Sequence, residues 1–232
     1  MHQNAALDEK VLRISMDAKA TIKFGLLSRR GRSRVEVQAL DHDFVKPEDK
    51  VHLLGFYLPD YGETYFVFLP DTRHLTADAL VDCLEHLWEQ LRFRFPHVTK
   101  LLLNLDNGPE CQSHRRQFIK RLVDFVDATA LQVDLAYYPP YHSKYNPIER
   151  VWGVLEQHWN GSLLDSVDTV LQMARTMTYK KVHPVINVIK RSYLKGVSLT
   201  KKAMKALETR LERLDGLEKY FVNISPRSVE AG

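Results

Sequence analysis

Lys100-Leu101-Leu102-Leu103-Asn104-Leu105-Asp106-Asn107-Gly108 is a short, almost wholly apolar run that ends in an acid and an Asn-Gly turn. It lacks the polar and apolar alternation of a strand with one wet face, so it reads as a strand buried on both sides, as in a parallel sheet covered by helices. In open α/β sheets functional groups collect beyond the carboxyl ends of the strands, which is where Asp106 falls. Downstream, the patterning predicts a helix over 113–129, a strand over 131–137 and a helix over 147–159. Asn146 suits the N-cap of that helix and Pro147 its first position. Upstream, 11–40 is strand-like, with a polar turn at Arg29-Arg30-Gly31-Arg32 between 21–27 and 33–40. A second strand pair, 51–58 and 63–69, flanks Pro59-Asp60-Tyr61-Gly62. Thr76 then caps a helix that Pro96 stops, with Leu80, Cys83 or Leu84, Leu87, Trp88 and Leu91 at helical spacing. Antiparallel strands followed by alternating helices and strands give the class α/β.

Beyond Asp165 the periodicity predicts helices over 166–177, 183–195 and 199–214. The last carries a stripe of Leu199, Met204, Leu207, Leu211 and Leu214, backed by Lys201, Lys202, Lys205, Arg210 and Arg213. Such a helix must bury its apolar face, and docking on its own core is the expected solution because the stripe is short for a coiled coil. The division expected from the sequence is therefore 11–164 as the main α/β domain and 165–232 as a helical C-terminal extension packed on it.

With 232 residues, 44% of them hydrophobic and 27% charged, the chain can bury one substantial core. Its net charge of +4 is too mild to identify a polyanion partner by itself. The charges are clustered, however. Between Asp17 and Arg34 stand Lys19, Lys23, Arg29, Arg30, Arg32 and Arg34, and the four arginines crowded into one turn suit phosphate contact better than a solvated tip. Cys83 and Cys111 are the only cysteines and neither has zinc-ligand spacing, so both read as free thiols in a reducing cytosol. No apolar run approaches the length of a membrane span.

Three acids carry the chemistry: Asp17 in a strand-like segment, Asp106 at a strand end and Glu149 in the first turn of a helix. Carboxylates delivered by different elements are what a divalent metal site needs. Asp41-His42-Asp43 looks like another cluster, but neighbours on an extended chain point to opposite sides, and a polar loop is the better reading. Glu156 would share a helix face with Glu149, as a solvated or supporting residue. Glu110 is near enough to Asp106 to assist it, while Asn107 shapes the turn. Tyr137 and Tyr138 read as core, Trp152 and Trp159 as buried, and His142 and Lys144 as groups suited to meet phosphate.

The stretches Leu105-Asp106-Asn107-Gly108-Pro109-Glu110, Tyr137-Tyr138-Pro139-Pro140-Tyr141-His142-Ser143-Lys144-Tyr145-Asn146-Pro147-Ile148-Glu149-Arg150-Val151-Trp152-Gly153 and His158-Trp159-Asn160-Gly161-Ser162-Leu163-Leu164-Asp165-Ser166-Val167 resemble the catalytic domain of bacterial insertion-sequence transposases of the DDE type, in the Tc/mariner-like group. The resemblance runs from about Leu12 to the tail. It implies a ribonuclease-H-like mixed sheet flanked by helices, with Asp17, Asp106 and Glu149 as the catalytic and metal-binding set for two Mg²⁺ or Mn²⁺. It also implies DNA as substrate, cleavage and strand transfer as the reaction, a homodimer on transposon ends and a location in the bacterial nucleoid. Full transposases of this type carry a helix-turn-helix region ahead of the catalytic domain. Met1 to Lys10 leaves no room for one, so the expectation is a catalytic domain without it. A nuclease or junction resolvase on the same fold, or a remnant that binds DNA without transposing, remain the alternatives.

Overall fold

The computed structural model describes residues 8–25, 50–139 and 145–227. Arg29, Arg30, Arg32, Arg34, the Asp41-His42-Asp43 cluster, His142 and Lys144 lie outside the described residues, as does the turn expected at 29–32. The elements in chain order are β1 (Val11–Lys23), β2 (Lys50–Leu58), β3 (Glu63–Leu69), α1 (Ala77–Leu91), β4 (Lys100–Leu105), α2 (Arg116–Thr129), β5 (Gln132–Tyr137), α3 (Pro147–His158), α4 (Val167–Thr176), β6 (Val185–Val188), α5 (Lys201–Glu208), β7 (Leu211–Arg213) and β8 (Phe221–Ile224). The strands form one mixed sheet in the order β6-β3-β2-β1-β4-β5-β8-β7.

Two compact units divide these elements, and neither follows the order of the chain. The first holds β1 through Ser15, the segment from Thr76 to Asn146, and the chain from Leu194 onward. In it β4 lies parallel to β1, with Ser15 opposite Asn104, and parallel to β5, with Leu105 opposite Tyr137. Leu101, Leu103 and Leu105 are buried on one face, while on the other Asn104 is buried and Leu102 half-buried. Thr76 caps α1 by accepting from the Ala79 amide, an arrangement worth about 1 kcal/mol. Arg121 on α2 reaches Asp78, Asp82 and Glu85 on α1 at 3.1, 2.8 and 3.0 Å, tying the two helices along their polar edge.

The second unit runs from Met16 to Leu75 and from Pro147 to Tyr193. β2 and β3 pair antiparallel from His52 opposite Leu69 to Leu58 opposite Glu63, around the Pro59–Gly62 turn. Both strands are almost entirely buried. Val51, Leu53, Phe66 and Phe68 meet Ile148, Val151, Trp152 and Leu155 of α3 and Val170, Leu171 and Ala174 of α4 in one apolar cluster. Trp152 and Trp159 are both buried, as the sequence suggests.

The C-terminal third departs from the helical extension expected of it. The helix expected over 183–195 is absent; Val185–Val188 is β6, parallel to β3. Its β-branched residues suit a pleat better than a helix, and the edge of β3 supplies the partner. The helix expected over 199–214 stops at Glu208, and Leu211–Arg213 becomes β7, antiparallel to β8, which in turn pairs with β5. The open edge of β8 captures this segment against its local helical pattern, a tertiary override of propensity. α5 itself docks on its own unit, against α2, with Met204 as its buried residue. Arg210 and Arg213 do not join a basic outer face: Arg210 grips Asp127 at 2.7 Å, and Arg213 donates to the Ser113 carbonyl at 3.0 Å.

Candidate active site

Asp106 emerges where β4 ends, and the Asn-Gly turn folds back onto it. The Gly108 amide donates to Asp106 Oδ1 at 3.1 Å, the self-closing turn typical of an aspartate. A Cβ on residue 108 would lie 3.2 Å from that same oxygen, so glycine lets the backbone come this close. Cys111 Sγ lies 3.5 Å from the Asp106 carbonyl and 3.7 Å from Oδ1. Beneath the turn, the Tyr137 hydroxyl donates to the Cys111 carbonyl at 2.5 Å. Burial pushes the Tyr137 phenol well above its ordinary pKa, so it stays a neutral donor. Tyr137 is thus core, as read from the sequence, with the added task of pinning the Asp106 loop. Glu110 forms an ion pair with Arg115 at 3.0 Å, and the Asn107 carbonyl accepts from Gln112 Nε2 at 3.3 Å.

In the same unit, Ser15 and Asn146 are buried, and the Ser15 hydroxyl donates to Asn146 Oδ1 at 2.5 Å. Asn146 precedes Pro147 and so anchors the chain just before α3 begins. Arg13 Nε donates to Asn104 Oδ1 at 2.6 Å, a polar tie between β1 and β4.

In the second unit, Trp152 Nε1 donates to Asp17 Oδ2 at 2.7 Å. Trp152 follows Glu149 by one turn of α3 and shares its face, so this hydrogen bond brings Asp17 to the helix segment that presents Glu149. The indole is held flat between neighbours. Phe66 stacks on it at 5.2 Å and 20°, and a Cβ on Gly55 would meet its Cη2 at 2.3 Å, so only glycine fits there. Farther along the helix, Glu156 pairs with Lys19 at 2.8 Å and accepts from Trp159 Nε1 at 2.9 Å. Glu156 is therefore engaged by two partners while its side chain stays half-exposed.

Sequence reasoning named Asp17, Asp106 and Glu149 but missed Trp152 as a donor, Gly55 as its slot, and Ser15 and Cys111 as supports. One signal was available, because a buried indole N–H requires an acceptor. Among the described residues no three His, Cys, Asp or Glu side chains are gathered closely enough to form a metal-ligand group. In kind, the three acids fit Mg²⁺ or Mn²⁺, since all offer hard carboxylate oxygens. Among the described residues no helix is long and apolar enough to cross a membrane.

A model of the Rhodopirellula transposase DDE domain matches residues 1–226. The chain belongs to that family. Two solved structures share its fold: the Mos1 transposase paired-end complex with left transposon end, and the Mos1 mariner paired-end complex with Mn. The first is 16% identical, with a TM-score of 0.50 over 72% of this chain and 47% of that one. The second has the same identity and score over 70% and 46%. This DDE domain therefore has the ribonuclease-H-like α/β architecture of Mos1 transposase, and it spans about half the length of those solved chains. No curated protein matches it.

Proposed function

We propose that this chain cleaves DNA phosphodiester bonds and joins a freed 3′-hydroxyl to target DNA, with Asp17, Asp106 and Glu149 as its catalytic, metal-holding carboxylates. The Trp152–Asp17 hydrogen bond carries the reading, because it ties one of these acids to the helical turn of another. Mg²⁺ or Mn²⁺ bound by these acids would neutralise charge on the attacking and leaving oxygens. The chain's own part is to hold the carboxylates in place beforehand, through the Gly108 amide on Asp106 and the Trp152 indole on Asp17. Arg29, Arg30, Arg32, Arg34, His142 and Lys144 would position DNA through its phosphates. The Mos1 relatives are paired-end complexes, and a pair of copies on transposon ends is the corresponding assembly here, at the bacterial nucleoid.

The test supplies a duplex with a free 3′-hydroxyl, a plasmid and Mg²⁺ or Mn²⁺. Joined product is expected with the natural chain and none with Asp106→Asn. Nicking without joining would make the protein a nuclease, and activity in Asp106→Asn would remove that carboxylate from the site.

A further inference from the structure

Between α4 and β6 the chain makes a two-residue hairpin that the carboxylate site does not use. Tyr179 and Val182 exchange both backbone hydrogen bonds, at 2.9 and 3.0 Å. The two residues at the tip, Lys180 and Lys181, both have left-handed backbones, with φ of 52° and 69°. A turn with two positive φ values strongly prefers Asn-Gly, and an ordinary side chain there costs roughly 1–2 kcal/mol. Two lysines are therefore a poor choice for folding. Residues held in strained conformations cluster at functional sites, which directs attention to what these lysines meet.

The hairpin is firmly placed. His183 Nδ1 closes its base on the Met177 carbonyl at 2.8 Å. Tyr179 packs edge-on against the buried Tyr57 at 5.4 Å, and the Lys180 ammonium lies 5.8 and 5.7 Å from those two rings. Hydrogen bonding toward Tyr57 is the largest influence raising the Lys180 pKa, and repulsion from Arg150 opposes it, so Arg150 belongs to the same neighbourhood. The Tyr57 hydroxyl has no partner of full hydrogen-bond geometry among the described residues, which makes the Lys180 contact a loose one. Lys180, Lys181 and Arg150 are all exposed. From Thr169 to Tyr193 the chain carries Arg175, Lys180, Lys181, Lys190 and Arg191 and no Asp or Glu. Arg150 also directly follows Glu149 on α3.

We propose that the Lys180-Lys181 hairpin tip, with Arg150 beside it, is a rigid contact for the phosphodiester backbone of DNA. The proposal rests on the reading of the protein as a DNA-cutting transposase domain and adds a surface to it. A fixed tip presents two ammonium groups without the ordering cost of a flexible loop, and point charges of this kind grip phosphates with no preference for sequence.

The decisive variant is Lys180→Asn combined with Lys181→Gly, which installs the residues the turn prefers and removes both charges. Its melting temperature should equal or exceed that of the natural chain. Its affinity for a mixed-sequence duplex should fall, and the slope of log affinity against log salt should flatten by ~0.9 for each phosphate that the tip no longer neutralises. Lys180→Arg with Lys181→Arg keeps the charges and should bind as the natural chain does. An unchanged slope in the Asn-Gly variant would overturn the hairpin contact and leave the transposase reading standing. Loss of affinity in the Arg-Arg variant would also overturn it, because charge would then not be the cause. Absence of salt-dependent DNA binding by the natural chain would overturn both.

Discussion

Trp152 joins packing and chemistry in one side chain. Its ring belongs to the core of the second unit, while its N–H is spent on Asp17. A hydrogen bond to a charged acceptor is worth ~1.5–3 kcal/mol, and each 1.4 kcal/mol is about tenfold in rate. Trp152→Phe keeps a ring in the slot and deletes the donor. We expect strand cleavage to drop about tenfold to a hundredfold, with a smaller effect on thermal stability, read from nicking rates beside a melting curve. Gly55→Ala should do the reverse first: overpacking against the indole costs about 1–3 kcal/mol, so the melting temperature falls and activity falls with it. Equal nicking by Trp152→Phe and the natural chain would show that the indole only packs. Asp106 and Glu149 were legible as candidates because Asp106-Asn107-Gly108 and Asn146-Pro147-Ile148-Glu149 are local signals. Gly55 was not, because nothing in Leu53-Leu54-Gly55-Phe56 reveals that a tryptophan far along the chain leans on it.

At the scale of elements, strands β2 to β5 and helices α1 to α4 match the sequence reading to within a few residues. Each has a continuous apolar run or stripe, and α1 and α4 also begin at capping side chains, Thr76 and Ser166. β6 and β7 differ from the helices expected there because they are short edge segments whose state is decided by the neighbour that receives them. Between β1 and β2, His52 supplies a test of a different kind. Its Nε2 lies 3.2 Å from the Arg73 carbonyl, which can only accept, so Nε2 carries the proton and Nδ1 accepts from Thr21 Oγ1 at 3.3 Å. Burial holds its pKa below the ordinary imidazole value. The unfolded chain therefore takes up a proton more readily than the folded one, so this contribution to stability is complete above ~6.5 and is lost as the pH falls below it. Melting temperatures measured from about pH 8 down to pH 5 should decline for the natural chain. They should decline less steeply for His52→Gln; parallel curves would assign the acid sensitivity to other groups.

At the scale of the whole molecule, the class α/β could be read from the alternation of elements, but the sheet order could not. Strand neighbours are chosen by contacts between distant segments, and here the last strand of the chain, β8, pairs with β5 while β6 pairs with β3. The acids of the proposed site are as widely separated in sequence, at positions 17, 106 and 149. If the three carboxylates hold the same cations, removing any one disables the set, and removing a second subtracts nothing further. Asp17→Asn, Asp106→Asn and Glu149→Gln should each abolish Mg²⁺-dependent cleavage, and the pairwise combinations should be no worse than the singles. Independent contributions would multiply instead, so a double variant would fall well below either single. Measured on single-turnover cleavage, where residual rates remain visible, multiplying losses would show that the three acids act separately and would refute the shared site.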